Sequence, residues 1–362
     1  GALKSDARSE RAKLLAERGA LGIITLTTPK QVEILWERQV GISSQPSMYQ
    51  ADPALRDVPV PFMAATMSPA RAEALFAGSG HSFAEVSALS DASQPVPTFA
   101  LQGRFAGKIV ATSQPVHGKN VIAVIPGRDR TLRNEYVVLS AHLDGLGIGE
   151  PIKGDTIYNG AFDNAVGVAS VLETAKAITA SKRKPKRSIL LAIVTGEEKG
   201  LQGSRYFARR PTVPAGALVA NINLDMPLPI FPLTSVSPLG YEESTLGEDA
   251  KAVGAQLGLA IVPDPLPDRN TFTRSDQYSF IRAGIPALFP KYGFARGTPE
   301  AASEAAWRAN IYHSPQDGPD QPVMKAEAVK LNSFVTALVR RIADAPQRPR
   351  WHEDSYFRRF VK

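Results

Sequence analysis

The sequence contains no cysteine. That excludes disulfides and every thiolate metal site, and it suits a cytosolic protein or an exported bacterial one equally well. Histidine is scarce, with five among 362 residues, so a histidine that recurs beside carboxylates carries weight. No apolar run approaches the ~20 residues that a membrane span needs, and no transmembrane segment is expected. No charged stretch followed by an apolar one opens the chain, so no signal peptide is expected within it. A mature exported chain would look the same.

What is present is a well-apolar chain, 43% hydrophobic, with a net charge of +7. Much of the excess lies in Ser181-Lys-Arg-Lys-Pro-Lys-Arg187 and in the stretch from Arg348 onward. The first run reads as a solvated turn between a helix and a strand rather than a nucleic-acid patch. The tail from Trp351 mixes aromatic residues with both charge signs and is expected to pack on the body of the protein.

The length favours two domains, placed at residues 1–113 and 114–362. In the first, a helix is expected from Ser5 to Leu21 and a buried strand at Gly22–Leu26. Val58–Phe62 reads as a Pro-broken edge strand. Pro69–Phe76 reads as a short helix with Ser68 as its N-cap. Several short strands are expected from there to Ser113. In the second, strands are expected at Asn120–Ile125, Tyr136–Ser140, Ile189–Val194, Ala217–Leu224 and Ile285–Phe289. Helices are expected at Ala165–Thr179, Ser244–Leu257 and Ala326–Ala343. Strands alternating with helices predict an α/β fold. Its central sheet is mixed but mostly parallel, with helices on both faces.

In such sheets chemistry gathers past the carboxyl ends of the strands. His142 and Asp144 follow the strand at Tyr136. Glu197 and Glu198 follow Ile189–Val194, in the stretch VTGEEKGLQGS. Asp225 follows Ala217–Leu224. Asp163 and Asn164 precede the helix at Ala165, and Tyr312, His313 and Asp317 fall in a late loop. Singly, each has a plain structural reading: Asp163 and Asp225 are also good helix caps. Jointly, histidines and carboxylates without cysteine suit Zn²⁺ or a similar divalent ion. Two histidines and three carboxylates suffice for two ions if one carboxylate bridges them.

The order His-x-Asp, Asn-Gly-Ala-x-Asp-Asn, Gly-Glu-Glu-x-Gly-x-x-Gly-Ser, Asn-x-Asp and Tyr-His-x-Pro-x-Asp resembles the co-catalytic zinc exopeptidases. That family includes bacterial leucyl aminopeptidases and glutamate carboxypeptidases. The resemblance runs from about Asn120 to the closing helix and implies the zinc exopeptidase fold and two Zn²⁺ per chain. It makes Asp163 the bridging ligand, with His142 and Glu198 completing one site and Asp225 and His313 the other. It makes Glu197 the general base, Asp144 the acid that orients His142, and Tyr312 a donor to the developing oxyanion. It also implies a cis Asp163–Asn164 peptide. Neighbouring side chains at a strand end diverge, so one of two adjacent glutamates can hold metal while the other faces the attacking water.

Residues before about Ser113 resemble the latter part of a protease-associated domain, expected to shape access to the site or to bind a substrate or partner. The activity implied is an aminopeptidase on peptide substrates, in the periplasm or secreted. A carboxypeptidase or dipeptidase is the alternative. A glutaminyl cyclase is disfavoured by the complete ligand set, as is a binding relative that has lost its metals. Arg269, Arg274 and Lys291 are candidates for holding a substrate carboxylate, or are simply surface residues.

Overall fold

The computed structural model describes residues 7–28, 32–56 and 62–361. Chain contacts divide it into two units, Ala7–Val40 with Arg56–His117, and Gly41–Leu55 with Gly118–Lys362. Residues 41–55, read from the sequence with the N-terminal unit, therefore fold with the larger one.

In the smaller unit, α1 (Ala7–Glu17) leads into β1 (Gly22–Leu26), and α2 (Trp36–Ser43) runs out of it. β1 pairs in parallel with β2 (Met63–Met67). The strand expected at Val58–Phe62 lies, apart from Phe62, outside the described residues. Pro69–Phe76 is a 3₁₀ helix, and Ser68 makes no capping bond to it. The short strands expected after it are absent among the described residues. In their place stands α3 (Phe83–Asp91), whose cap Ser82 accepts from the Glu85 amide at 3.1 Å. Its start signal, Ser-x-x-Glu ahead of apolar residues at helical spacing, was in the sequence and outweighs the β-branched residues around it. Phe76 and Phe83 pack with Ala72 as a small core.

The larger unit is built on a seven-stranded sheet in the order β10-β9-β11-β8-β4-β7-β3. The strands are β3 (Val121–Ile125), β4 (Tyr136–His142), β7 (Ser188–Val194), β8 (Leu218–Asn223), β9 (Ser235–Leu239), β10 (Ala260–Ile261) and β11 (Ala287–Tyr292). β3 runs antiparallel to β7, and β9 to β11, while the other pairs are parallel. A separate hairpin, β5 (Gly147–Ile152) and β6 (Asp155–Tyr158), leaves the end of β4.

The central strands are mostly apolar because both faces are covered. Val137, Leu139, Ile189 and Leu191 meet α4 (Val166–Ala180), α6 (Leu246–Leu257) and α9 (Lys325–Asp344). Val138, Leu190 and Ala192, one residue out of phase, meet α5 (Gln202–Arg209) and α7 (Gln277–Ile281). The remaining helix is α8 (Pro299–Asn310). Trp351 and Phe357 of the tail are buried against Tyr278, Ile281 and Ala287. No described helix is long and apolar enough to cross a membrane.

The basic run contains one surprise. Arg187 is fully buried, with Nε 2.6 Å from Glu135 Oε2 and Nη1 donating to the Ala345 carbonyl. Arg348 Nε reaches the other Glu135 oxygen at 2.8 Å. Burial tends to raise the Glu135 carboxyl, but Arg348 and Arg187 outweigh it and hold it below its ordinary 4.5. A depressed carboxyl stabilises the fold above its unfolded pKa, and that stability is lost as pH falls through the folded value. Glu135→Gln should therefore cost about 3 kcal/mol at neutral pH. That is the low end for stranding a buried charge, since Glu135 is itself partly exposed and screened. Urea unfolding at pH 7 and pH 3 checks this: the gap between wild type and variant should narrow in acid.

Candidate metal centre

Every candidate side chain sits at the carboxyl end of the central strands or in a loop facing it. His142 is the last residue of β4 and is fully buried. Its Nδ1 lies 3.0 Å from the Asp144 main-chain carbonyl. That contact makes Nδ1 a donor and turns Nε2 inward. Nε2 lies 3.2 Å from Asp163 Oδ1 and 3.6 Å from Asp225 Oδ1. On the other side, His313 Nε2 lies 3.2 Å from Asp163 Oδ2 and 3.3 Å from Glu198 Oε2.

Two ligand groups result, His142–Asp163–Asp225 and Asp163–Glu198–His313, with Asp163 in both. This pairing corrects the expected one, in which Glu198 accompanied His142 and Asp225 accompanied His313. β4 lies between β8 and β7, so strand order leaves both pairings open. The Asp144 contact decides it by aiming His142 toward Asp225, past the end of β8. The turn after β7 carries Glu198 to the loop that holds His313.

Asp144 also differs from expectation. Its carboxylate stands 3.8 Å from His142 Nδ1 and instead accepts the Glu197 and Glu198 amides, each at 3.2 Å. It therefore shapes the Glu197–Glu198 turn, while its carbonyl orients the histidine. Gly196 and Gly200 flank that turn at φ 69° and 91°, where a side chain would be strained. The Glu197 carbonyl accepts from the amides of Gly200 and Leu201.

Asp163 is aimed by its surroundings. The Asp317 carboxylate accepts the Phe162 and Asp163 amides at 2.9 and 3.0 Å. The Asp163–Asn164 peptide is cis, as the resemblance implies. The Asn164 side chain accepts from Gly167 and Met226 and donates to the Leu224 carbonyl, tying the start of α4 to the end of β8. Asn164 and Asp317 stand within the sequence motifs, and these bonds give them their role. Leu146 and Tyr158, at the ends of the β5–β6 hairpin, line the cleft beside Asp163, Glu198 and His313 and gave no signal.

The donor set fits divalent ions. His142 Nε2 and Asp225 Oδ1 are buried without an aligned hydrogen-bond partner. They converge with Asp163 at ion-pair distance rather than on one another's hydrogens, which is how ligands around a common cation are arranged. The protein's own charges are strained in this space. Burial, then the Asp163 charge, pushes Glu198 up to about 8. Burial raises Glu197 well above its usual range, with Asp225 and Glu198 adding to it against His142. Burial works against the His142 cation, but Asp163 and Asp225 hold it well above the usual histidine value. Burial pulls Lys291 down to about 8.

A family model described as peptidase family M28 matches residues 120–339. The chain belongs to peptidase family M28. The M28 span begins after the smaller unit. Among curated relatives, leupeptin-inactivating enzyme 1 of Streptomyces exfoliatus is 31% identical over 180 residues, 48% of this chain and 36% of that protein. The vacuolar membrane protease of Pyrenophora tritici-repentis is 36% identical over 110 residues, 28% of this chain and 11% of that protein. The matches thus span well under half of these relatives. Among solved structures, the zinc aminopeptidase BSAP of Bacillus subtilis aligns at TM-score 0.45 with 21% identity, over 61% of this chain and 49% of that one. The LapA aminopeptidase of Legionella pneumophila aligns at TM-score 0.46 with 22% identity, over 63% and 56%.

Proposed function

We propose that this M28 protein is a di-zinc aminopeptidase that hydrolyses the first peptide bond of unblocked peptides. The observation that carries the reading is Asp163, which presents Oδ1 to the His142 group and Oδ2 to the His313 group. His142, Asp163 and Asp225 would hold one ion, and Asp163, Glu198 and His313 the other. Ions bound there supply Lewis acidity, polarising the scissile carbonyl and making the attacking water acidic near neutral pH.

The protein's own part is proton transfer and positioning. Glu197, partly buried and close enough to feel the charges of His142 and Asp225, takes the proton of the attacking water and returns it to the leaving amine. Asp144 holds the turn that aims it. The Tyr312 ring stacks on His313 at 3.7 Å, and Arg308 lies over its face at 4.5 Å. Burial, then the Asp163 charge, keeps its hydroxyl protonated and so able to donate to a developing oxyanion. A periplasmic or secreted location belongs to the same proposal and is tested by cell fractionation.

The test pairs elemental analysis with a reporter panel. Two zinc ions per chain, release of free aminoacyl reporters and inertness of their N-acetyl counterparts are expected. Release from the carboxyl terminus instead would establish the carboxypeptidase alternative.

A further inference from the structure

A second cleft opens beside Met226, the residue that follows the candidate ligand Asp225. Its lining includes an apolar wall of Met226, Phe231 and Tyr292, together with Lys291, Arg269 and Arg308. The Lys291 ammonium donates to the carbonyls of Asp225 at 2.7 Å and Met226 at 3.2 Å. An ammonium has three donors, and the further neighbour Lys291 has is neutral, the Phe289 ring with its centroid 4.5 Å away. Among the described residues no carboxylate comes within ion-pair distance of it. A cation enclosed with only neutral acceptors is costly unless an anion joins it. The cleft's own carboxylates do not serve. Glu304 Oε1 is already shared by Arg269 at 2.7 Å and Arg308 at 3.0 Å. Asp264 accepts the Leu266 amide at 2.8 Å. Three cations thus share the cleft's lining with two engaged carboxylates.

Resting on the peptidase reading, the geometry points to this cleft as a subsite for a carboxylate carried by a residue flanking the scissile bond. A substrate bond set against Asp225 has its neighbouring residue at Met226. The apolar wall takes that residue's carbon chain, and Lys291 and Arg269 take its carboxylate. The carboxylate is either an acidic side chain or the free terminus of a dipeptide.

The zinc-loaded enzyme is assayed on two matched pairs: Glu- and Gln-4-nitroanilide, and Leu-Leu and its C-terminal amide. In one pair the carboxylate member should be favoured in kcat/KM by roughly tenfold or more, the low end for a hydrogen bond to a charged group. That pair names the source. Arg269→Gln, which touches no metal ligand, and Lys291→Met should each collapse the ratio. Lys291→Met should also slow all substrates, because it frees the Asp225 carbonyl. Equal rates within both pairs, or ratios unchanged in both variants, would overturn the subsite. Glutarate binding by calorimetry needs no turnover. If no peptide is cut, the peptidase reading fails; glutarate affinity lowered roughly tenfold by Arg269→Gln still supports the subsite, and unchanged affinity overturns it.

Discussion

Glu197→Gln is expected to lower kcat by at least ~10²-fold, the low end for loss of a general base, with metal content near normal. The substitution keeps size and shape and removes only the proton acceptor. Glu197 donates its amide to Asp144 and its carbonyl accepts from Gly200 and Leu201, so the turn is held by main-chain bonds that glutamine retains. Its carboxylate belongs to neither ligand group. KM should change little, because the group acts on the proton in flight rather than on bound peptide. Elemental analysis beside steady-state kinetics decides the point. Retained turnover per bound ion with depleted metal would mean that the roles of Glu197 and Glu198 are exchanged.

Asp163→Ala is expected to have the broader effect, since Asp163 alone belongs to both ligand groups. Both ions should be lost, and activity should fall to background. His313→Ala removes a ligand from one group only, so about one ion per chain should remain. Metal counts after gel filtration in metal-free buffer distinguish the two. If Asp163→Ala retained one ion at full occupancy, the shared carboxylate would be refuted. Thermal unfolding with and without added zinc gives a second readout. Wild type should gain stability from the metal by mass action, and Asp163→Ala should not.

Much of the larger unit was legible because its signals are local. Ile189–Val194 and Tyr136–Leu139 are uninterrupted apolar runs, as strands buried on both faces favour. Val168, Val171, Leu172, Ala175 and Ile178 recur at helical spacing. The smaller unit was read less well. Residues 77–113 were expected to form strands, and they hold α3 and irregular chain instead. Apolar residues there are scattered among serine, glycine and proline without a sustained alternation, so the Ser82 cap was the better guide. The β5–β6 hairpin escaped notice because β5 is largely exposed and carries two glycines, and β6 buries Tyr158 alone, too little to impose alternation.

By itself the sequence determined which residues are candidates for the site. His142, Asp163, Glu197, Glu198, Asp225 and His313 stand at strand ends and loop positions that any parallel sheet of this order would gather at one edge. Their chemical types, without cysteine, select hard or borderline divalent ions. Only the tertiary structure decided who pairs with whom. Ligand grouping depends on side-chain direction at distances of a few ångströms, set by bonds between residues far apart in sequence. The Asp144 carbonyl turns His142, Asp317 holds the Asp163 backbone from 154 residues away, and Lys291 clamps the Asp225 carbonyl from the neighbouring strand. Arg187 is the same lesson in the scaffold. In sequence it is the last residue of a solvated basic run. In the fold it is the first residue ahead of a buried strand, and Glu135 beside it makes that burial tolerable.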